Sequence, residues 1–535
     1  MNNPLTLTRE TLYILMQLKT AGYDAFLVGG SVRDLFRGKN PFECDQDFTT
    51  NATPEQITEV FPDSFYENQF GTVSLTAENL WQKMAVSAEY RQAVTQVLSA
   101  KNQAAAKLIN LAAAKKIHTS LVKKTNSSEN PEPKEAHTLP NFEITTYRSK
   151  EVYTDGTRKP QSLEWGESIE EDLKRRDFTI NAMALTISLE QLQKLYQEAL
   201  DKNTLFVQVP AADISLIANE SAEKDLENNI IRSVGIARER FVEDALRMLR
   251  AIRLAVQLEM TIEPDTLSAI TTNHALLSDV SFERIRDEFL KMLVSPQPKR
   301  AIELLDQTNL LQYILPELIK AKGITQGGHH TTDVWTHSLD ALDSSPSLDP
   351  IVRLATLLHD IAKPVTYKVI NGQPTFYNHE ILGSRIARDI GRRLRLNKHQ
   401  LDRLFILTRY HMFHYQTHNT DAAIRRLMRK VGLENLDDIL DLREGDRLGS
   451  GARKSSWRLE EMKQRMLEQL NQPLSTSDLA IDGHDLMSEL KLKPGPLLGK
   501  ILDQLLEQVL ENPELNSKPS LLEAAKTIYE TTTKN

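Results

Sequence analysis

The sequence predicts an α+β protein in which an N-terminal mixed α/β head with a small sheet precedes a long helical remainder. From Leu5 to about Ala77, stretches with helical periodicity alternate with short β-favouring runs. A further β-favouring run covers residues 141–147. Beyond Leu185 the apolar residues recur at helical spacing almost throughout, so we expect strands only in the head.

The length of the chain predicts several domains, because 535 residues exceed what one hydrophobic core can support. We expect a head at residues 1–185, a helical neck at 186–315, a third helical domain at 316–450 and a helical tail at 451–535. Residues 78–139 change to an alanine- and lysine-rich stretch followed by a polar segment. We interpret them as a helical insertion in the head that ends in a disordered loop.

Composition restricts the class of protein. Hydrophobic residues make up 40% of the chain and charged residues 26%, which is ordinary for a soluble globular protein. The net charge of −8 argues against indiscriminate binding of nucleic acid but is compatible with a local basic surface. Cys44 is the only cysteine, which excludes an internal disulfide and fits a reducing compartment. Since we find neither an export signal nor an apolar run of membrane-spanning length, we expect a cytoplasmic protein without membrane contact.

A glycine turn in Leu27-Val-Gly-Gly-Ser-Val-Arg-Asp34 is the first candidate binding element. Residues 24–28 favour a strand, Gly29 and Gly30 interrupt it, and Ser31 is expected to begin a helix. This arrangement lets backbone amides approach a phosphate closely. Arg33 adds a guanidinium group that can donate two hydrogen bonds to phosphate oxygens. The pattern therefore predicts a triphosphate-binding turn.

Two carboxylates follow the turn, at Asp45 and Asp47. In an extended segment this spacing directs both side chains to one face, where they can share one or two magnesium ions. Such ions activate an attacking 3′-hydroxyl and neutralise a triphosphate, so the pair predicts nucleotidyl transfer. Taken alone, an Asp-x-Asp is equally compatible with a surface turn. The glycine turn upstream favours the metal-binding interpretation, and Glu143 is a candidate third acidic group.

Two further motifs are rich in arginine. The first is Arg175-Arg-Asp-Phe-Thr-Ile-Asn181, and the second covers residues 240–253. In the second, Asp244, Arg247 and Arg250 recur at three-residue spacing, which predicts one face of one helix. A carboxylate there can accept from the exocyclic amino group of cytosine or adenine, which uracil lacks, while an arginine donates to the adjacent ring acceptor. Considered by itself, the same spacing is typical of an amphipathic helix with a solvated basic face.

In this order, the four motifs closely resemble those of the class II tRNA nucleotidyltransferase and bacterial poly(A) polymerase family. The resemblance implies addition of C, C and A to the 3′ end of tRNA from CTP and ATP, with Mg²⁺ and without a nucleic-acid template. The residues that it implies are Gly29, Gly30 and Arg33 for the phosphates, Asp45 and Asp47 for magnesium and catalysis, Arg176 for the incoming nucleotide, and Asp244, Arg247, Arg250 and Arg253 for the base. The helical tail is expected to hold the tRNA.

A second resemblance concerns the third domain. His337, the pair His359-Asp360, His379, His411 and Asp446 occur in the order typical of the HD phosphohydrolase superfamily. Imidazole and carboxylate together suit transition metals better than magnesium, so the resemblance implies a site for nickel, manganese, iron or cobalt. Such domains either hydrolyse phosphoesters, for example 2′,3′-cyclic phosphates at damaged tRNA ends, or have lost that activity.

Other functions remain open at the level of the sequence. Within the family, the chain can be a poly(A) polymerase or an enzyme that adds only the terminal A. In the loop at residues 147–160, which the resemblance ties to the switch from C to A addition, Thr157 separates Gly156 from the basic pair that is expected to follow it directly. Outside the family, the HD region can be the principal activity, or the chain can be a non-catalytic RNA-binding protein. The sequence does not predict the oligomeric state.

Overall fold

The computed structural model describes residues 4–44, 46–67, 71–97, 141–153, 160–327, 332–413, 415–416, 418–451 and 457–534. Asp45, residue Thr157 of the predicted switch loop and most of the predicted insertion lie outside these ranges. The chain divides into two compact units. The first runs to residue 319 and includes residues 393–395, and the second comprises residues 320–392 and the chain from residue 396 onward. None of the described helices combines the length and the apolar character that crossing a bilayer requires.

A seven-stranded mixed sheet forms the framework of the first unit. Its strands, in spatial order, are β11 (Ile214–Ala218), β9 (Met183–Ile187), β2 (Phe26–Val28), β3 (Gln46–Thr50), β6 (Asn141–Thr146), β5 (Thr72–Thr76) and β4 (Phe65–Glu67). Neighbouring strands are antiparallel except β3 and β6, which are parallel. Strand β6 confirms the β-favouring run at residues 141–147, and the α+β class is confirmed.

Four two-stranded sheets complete the described β-structure. Their pairs are β1 (Leu5–Thr8) with β10 (Phe206–Val209), β7 (Arg148–Tyr153) with β8 (Pro160–Trp165), β12 (Ile230–Ile231) with β13 (Thr261–Ile262), and β14 (Lys368–Ile370) with β15 (Gln373–Thr375). The expectation of strands only in the head, with helix almost throughout the chain beyond Leu185, is wrong for the short pairs β12–β13 and β14–β15 and for residues 206–218. There the runs on either side of Pro210 are too short for a helix, and they instead extend strand pairing to β1 and β9.

Some helices of the first unit pack on the sheet, and the others contact one another further along the chain. They are Arg9–Thr20, Gly30–Phe36, Pro54–Val60, Ala77–Lys83, Ile169–Lys174, Leu189–Asp201, Ala222–Glu227, Ala237–Glu243, Leu246–Gln257, Pro264–Asn273, Phe282–Leu293, Pro298–Gln307, Leu311–Ile314 and Pro316–Ile319. Residues 88–97 are also helical. The helix Leu246–Gln257 packs against Phe282–Leu293 and Pro298–Gln307.

Within its described residues, the second unit is helical apart from the hairpin of β14 and β15. Its helices are Val334–Asp343, Pro350–Leu358, Lys363–Thr366, His379–Arg393, Lys398–Tyr410, Asp421–Val431, Leu436–Gly449, Trp457–Gln469, Gly483–Leu490, Pro496–Glu511 and Lys518–Lys534. Short 3-10 helices occur in both units, at Pro41–Glu43, Thr179–Asn181, Ala211–Asp213, His274–Asp279, Leu433–Asn435, Thr476–Asp478 and Pro513–Leu515.

One face of the sheet is anchored by a helix that carries a dense charged motif. Ile169 and Leu173, one turn apart on the helix Ile169–Lys174, are buried against Phe26, Val28 and Tyr147. This contact removes apolar surface from water and fixes the rotation of the helix on the sheet. The residues that follow its last turn are therefore held at a defined place beside β2.

Close helix packing fixes the position of Asp446 in the second unit. Asp446 lies between Gly445 and Gly449 on the helix Leu436–Gly449, which packs against Val334–Asp343. A Cβ atom added at Gly445 would lie 2.8 Å from the carbonyl oxygen of Ala341, and one at Gly449 would lie 2.5 Å from the Ala341 nitrogen. Both glycines are therefore required for this approach.

We predict that Gly449→Ala destabilises the second unit by about 1–3 kcal/mol, because the added methyl group overpacks a contact with rigid backbone. Calorimetric unfolding of the two proteins measures the difference. Gly499→Ala is the matched control, since Gly499 lies in the helix Pro496–Glu511 with nothing within 4 Å of the added carbon. An unchanged melting temperature in Gly449→Ala would contradict the packing described here.

Candidate nucleotide pocket and candidate metal centre

The predicted glycine turn lies between β2 and the helix Gly30–Phe36. Gly29 has a φ of +69°, a backbone conformation that glycine adopts at little cost, and its N–H donates to the carbonyl oxygen of Met183 at 3.0 Å. A Cβ atom at Gly29 would lie 2.7 Å from Nη1 of Arg176, and one at Gly30 would lie 3.3 Å from Nη2 of Arg33. The two glycines thus allow two guanidinium groups to lie directly against the turn.

Arg33 is held by side chains on both sides of the turn. Its Nε donates to Oδ1 of Asp34 at 2.8 Å, and its Nη1 donates to Oδ1 of Asn181 at 2.6 Å. Lys39 donates to the other carboxylate oxygen of Asp34 at 2.8 Å. Burial raises the pKa of Asp34, but Arg33 and Lys39 outweigh burial and lower that pKa below its usual value. Arg33 therefore has a fixed position behind the turn.

Arg176 is held by a carboxylate from the helix that anchors the sheet. Its Nη2 and Nε donate to Oδ2 of Asp172 at 2.9 and 3.1 Å, and Arg175 donates to Oδ1 at 3.0 Å. The Asp172 side chain is only 1% exposed. Burial raises the pKa of Asp172, but the guanidinium groups of Arg176 and Arg175 prevail and lower it. The carboxylate is thus ionised, and both arginines are oriented from behind.

Two acidic side chains face the same cavity from adjacent strands. Asp47 on β3 and Glu143 on β6 are direct partners in the parallel register, and both line the cavity. The backbone N–H of Asp47 donates to Oγ of Ser31 at 2.9 Å, which ties β3 to the helix after the glycine turn. Paired carboxylates on one side of a sheet supply the hard oxygen ligands that magnesium prefers. The role of Asp45 stays a prediction.

The cavity itself has a volume of about 620 Å³. Its lining contains eight of the residues predicted from the sequence, which are Gly29, Gly30, Asp47, Glu143, Arg176, Asp244, Arg247 and Arg250. Arg33 and Arg253 do not line it, although Arg33 contacts the lining residue Asn181. Arg284, which sequence reasoning missed, lines it as well. Residues from several separate segments between positions 28 and 284 thus line one concave, strongly charged site.

Asp244 departs from the sequence prediction. The helix Ala237–Glu243 ends before it, its backbone is extended with a φ of −150°, and the next helix begins at Leu246. Asp244 therefore does not share one continuous helical face with Arg247 and Arg250, and that expectation was wrong. Instead its Oδ1 accepts from the N–H of Leu246 at 3.1 Å, which satisfies a free amide at the helix start.

A distant arginine completes the environment of Asp244. Arg284, on the helix Phe282–Leu293, donates from Nη2 to Oδ2 of Asp244 at 2.7 Å. The two residues are 40 positions apart, so no local pattern connects them. The helix contact between Leu246–Gln257 and Phe282–Leu293 is what brings them together.

The three arginines of the helix Leu246–Gln257 each have a carboxylate partner at 2.7 Å. The pairs are Arg247 with Glu243, Arg250 with Asp177, and Arg253 with Glu288. Burial raises the pKa of Asp177, but Arg250 overcomes this and lowers it, while Asp177 in turn raises the pKa of Arg250. The arginines are therefore charged and directed by their partners, with Arg253 turned toward Glu288 outside the cavity lining.

The six predicted HD residues meet in the second unit. All six are buried. In each of two groups, His337-His359-Asp360 and Asp360-His379-His411, the ligand atoms lie within 4.8 Å of one another. Nε2 of His337 lies 3.1 Å from Nε2 of His359 and 3.2 Å from Oδ1 of Asp446. Nε2 of His359 lies 3.2 Å from Oδ2 of Asp360. Six side chains that are spread over residues 337–446 of the chain thus form one cluster.

Backbone carbonyls orient three of the four histidines of the cluster. Nδ1 of His359 lies 2.6 Å from the carbonyl oxygen of Thr356, and Nδ1 of His411 lies 2.7 Å from that of Thr408. His379 makes the same contact to Phe376 at 2.8 Å. Each Nδ1–H can therefore donate to a carbonyl, which leaves Nε2 directed into the cluster as metal-binding histidines require.

The electrostatics of the cluster fit a cation. Burial raises the pKa of Asp360, but His359 and Lys363 dominate and hold it well below its usual range. Burial lowers the pKa of His411, which keeps its imidazole neutral. The buried Nε2 atoms of His379 and His411 lie 3.3 and 3.7 Å from Oδ1 of Asp360 without forming a hydrogen bond. Burial lowers the pKa of His359, but Asp360 and Asp446 outweigh burial and raise it, so a cation that binds there would displace a proton from this imidazole. Carboxylates and imidazoles together form a donor set suited to a transition metal.

Comparisons with protein families cover most of the chain. The family model of the poly(A) polymerase head domain matches residues 25–112 and 101–201, and that of the RNA- and SrmB-binding site of polymerase A matches residues 259–322. The HD domain model matches residues 328–448, and a model of a second tRNA nucleotidyltransferase domain matches residues 404–525. The fold and the sites thus define a nucleotidyltransferase that also carries an HD domain.

Similarity to individual proteins indicates which nucleotidyltransferases the chain resembles. The chain is 32% identical to the A-adding tRNA nucleotidyltransferase of Deinococcus radiodurans, over 64% of this chain and 75% of the relative. It is 26% identical to the CCA-adding enzyme of Lactobacillus johnsonii over 98% of both chains. The crystal structure of the Bacillus stearothermophilus CCA-adding enzyme in complex with CTP has the same fold, with a TM-score of 0.60, 23% identity and 98% coverage of both chains. The chain belongs to the tRNA nucleotidyltransferase and poly(A) polymerase family, whose chemistry uses divalent metal ions.

We predict that Asp172→Asn loses about 3 kcal/mol of stability at neutral pH, because it leaves two arginines without their buried partner. Since the pKa of Asp172 is lowered in the folded state, its stabilisation is present above the usual value of 3.8 and disappears as pH falls through the folded pKa. Urea unfolding should therefore show a difference between variant and wild type that vanishes in acid. Glu171→Gln, at an exposed neighbouring site, should change stability by less than about 0.5 kcal/mol. Equal stability of Asp172→Asn and wild type at neutral pH would contradict this role.

Proposed function

We propose that the protein adds C, C and A to the 3′ end of tRNA, using CTP and ATP as substrates, Mg²⁺ as cofactor and no nucleic-acid template. The observation that carries this proposal is the likeness to a CCA-adding enzyme along 98% of both chains. The cavity of the first unit supports it, since it combines carboxylates, a glycine turn and directed arginines. The A-adding relative matches over 64% of this chain, so an enzyme that adds only A is the less favoured alternative.

The reaction forms one bond to phosphorus and breaks one. The 3′-oxygen of tRNA attacks the α-phosphorus of the nucleotide, the bond to the β-phosphate oxygen breaks, and pyrophosphate leaves while the hydroxyl proton passes to solvent. Asp47, together with Asp45, would hold magnesium, and Glu143 lies beside Asp47. When bound there, magnesium activates the hydroxyl and neutralises the triphosphate.

We assign the triphosphate to the glycine turn. Because Gly29 has no side chain, the guanidinium group of Arg176 lies directly against the turn, where Asp172 holds it and where it can donate to phosphate oxygens. Arg33 holds the turn from behind through Asn181. Because these groups are already oriented, little side-chain entropy is lost when a nucleotide binds.

We assign base selection to Asp244 and Arg247. A carboxylate has about four acceptor positions, so Asp244 can accept from a base amino group in addition to Leu246 and Arg284. Both cytosine and adenine present that amino group, whereas uracil presents a carbonyl. Arg250 lines the same cavity. Arg253, further along the helix, forms an ion pair with Glu288, and we assign it a positioning role.

The domain boundaries follow from this assignment. We propose the head at residues 1–185, the neck with the base-selecting segment at 186–315, the HD domain at 316–450 and a tRNA-holding tail at 451–535. The matches to the poly(A) polymerase head and to the HD domain support the first and third of these. A cytoplasmic location is compatible with the single cysteine and with tRNA as substrate.

The direct test supplies single nucleotides to tRNAs that lack CCA, CA or A. We expect CMP addition to the first two and AMP addition only to the third. Asp47→Asn should reduce incorporation by at least about 10³-fold, since it removes a magnesium ligand. Asp63→Asn, which changes a carboxylate that is 62% exposed, is the control and should leave incorporation unchanged.

Two other outcomes would contradict the proposal. Addition of AMP alone, and only to the tRNA that lacks A, would identify an A-adding enzyme. Repeated AMP addition would identify a poly(A) polymerase.

We further propose that the HD domain is a metal-dependent phosphohydrolase. His337, His359, Asp360 and Asp446 would hold one metal, with His379 and His411 adjacent, and nickel, manganese, iron and cobalt suit this donor set. In hydrolysis a water oxygen bonds to phosphorus, one ester P–O bond breaks, and the leaving oxygen takes the proton. A 2′,3′-cyclic phosphate at a damaged tRNA end is a substrate of this kind.

Metal analysis of the full chain tests the site. We expect a bound transition metal in the wild type and its loss, by about tenfold or more in affinity, in His359→Ala and Asp360→Ala. His399→Ala, at an exposed histidine, should retain the metal. A wild type that binds no transition metal would refute the site, and a metal-loaded wild type that hydrolyses no cyclic phosphate would refute the activity.

A further inference from the structure

A second, smaller cavity adjoins the metal cluster. The larger cavity, of about 1010 Å³, contains His359, Asp360, His379 and Asp446 in its lining. The smaller one, of about 210 Å³, is lined by Phe413, Tyr415, Arg443, Arg447, Arg458, Leu459 and Met462. Arg443 and Arg447 line both cavities. A volume of about 210 Å³ is below the range typical of whole-ligand sites, so it fits one part of a ligand.

Arg443 connects the metal cluster to the aromatic wall of the smaller cavity. Its Nη1 lies 2.6 Å from Oδ2 of Asp446, and its guanidinium carbon lies 5.3 Å from the centroid of the Phe413 ring. A guanidinium group in this position can donate to a phosphate oxygen on one side and contact an aromatic ring on the other. The Arg443 side chain thus connects a possible phosphate position in the larger cavity to an aromatic ring in the smaller one.

The two aromatic residues of the smaller cavity come shortly after His411 of the metal cluster. Phe413 and Tyr415 are two and four residues beyond His411, and both are half-buried. The Tyr415 hydroxyl accepts from Nη1 of Arg465 at 3.1 Å, and Arg465 is itself tied to Asp421 at 3.0 Å. Tyr415 therefore has a defined orientation. Leu459 and Met462 add apolar surface to the same small cavity.

We propose that the smaller cavity receives the nucleobase of a nucleotide phosphoester whose phosphate enters the larger cavity. The proposal rests on the phosphohydrolase function proposed for the HD domain, and it names the substrate class as nucleotides rather than phosphoesters in general. Aromatic rings, apolar side chains and arginines are the groups on which bases stack without regard to sequence. A phosphoester without a base leaves these groups unused.

Photo-crosslinking tests the subsite without depending on a loaded metal. The full chain is irradiated with 8-azidoadenosine 3′-monophosphate, and the modified peptide is identified by mass spectrometry, so that nucleotide bound in the first unit is scored separately. We expect modification within residues 411–465, suppressed by adenosine 3′-monophosphate but not by glycerol 1-phosphate. In Tyr415→Ala the half-saturating concentration should rise roughly 5- to 150-fold, the range for loss of one base–aromatic stack.

Two variants serve as controls for this experiment. Tyr415→Phe keeps the ring and loses only the hydroxyl, so its binding should stay near that of the wild type. Tyr529→Ala changes a half-buried tyrosine on the helix Lys518–Lys534, which lines neither cavity, and it should leave binding unchanged. Modification elsewhere in the second unit, or sensitivity to Tyr529→Ala in place of Tyr415→Ala, would overturn the proposal.

Hydrolysis separates the subsite from the activity on which it rests. We expect the metal-loaded protein to hydrolyse adenosine 2′,3′-cyclic phosphate faster than glycerol 1,2-cyclic phosphate, and Tyr415→Ala to remove this preference. Equal rates on both esters in the wild type would overturn the base subsite and leave the phosphohydrolase standing. Hydrolysis of neither ester, with the expected crosslink, would overturn the phosphohydrolase and support the nucleotide subsite.

Discussion

The nucleotide pocket depends on buried carboxylates that hold arginines in place. Asp172 orients Arg176 against Gly29, where the glycine has no side chain to occupy the same space. A desolvated carboxylate is stable only when it is paired, and here the pairing also directs the arginine toward the cavity. Asp177 and Arg250 repeat the arrangement on the neighbouring wall. The charge pattern of the pocket is therefore set before any nucleotide binds, which is the condition for electrostatic preorganisation.

Local sequence signals predicted the parts of this site, whereas contacts between distant segments decided how they meet. The glycine turn and β6 are local patterns, and each is present in the structure as expected. The HD residues were recognised from their order along the chain, and they form one cluster in the structure. Asp244 was placed wrongly because its backbone leaves the helix, which spacing alone does not reveal. Arg284 and the strands at residues 206–218 were missed because helix packing and strand pairing with distant partners define them.

In the second unit, too, residues from distant segments meet in one site, here with metal-binding side chains. Its six ligand-type residues come from helices and helix ends spread over residues 337–446, and close glycine packing of two of these helices fixes Asp446. The sequence predicts the ligand types, because imidazole and carboxylate are recognisable in order. It does not predict the small cavity beside them, since Phe413, Arg443 and Met462 come from three separate segments that only the folded helices bring together.

We propose that the guanidinium group of Arg176, which Asp172 holds at the glycine turn, binds the triphosphate. The most direct measurement is the dissociation constant of CTP for Arg176→Lys, because lysine keeps the charge but cannot donate to both Asp172 and a phosphate in the same geometry. We expect Arg176→Lys to bind CTP about ten- to a hundredfold more weakly than the wild type does, and Arg392→Lys, at an exposed arginine, to bind it with unchanged affinity. Wild-type affinity in Arg176→Lys would contradict it.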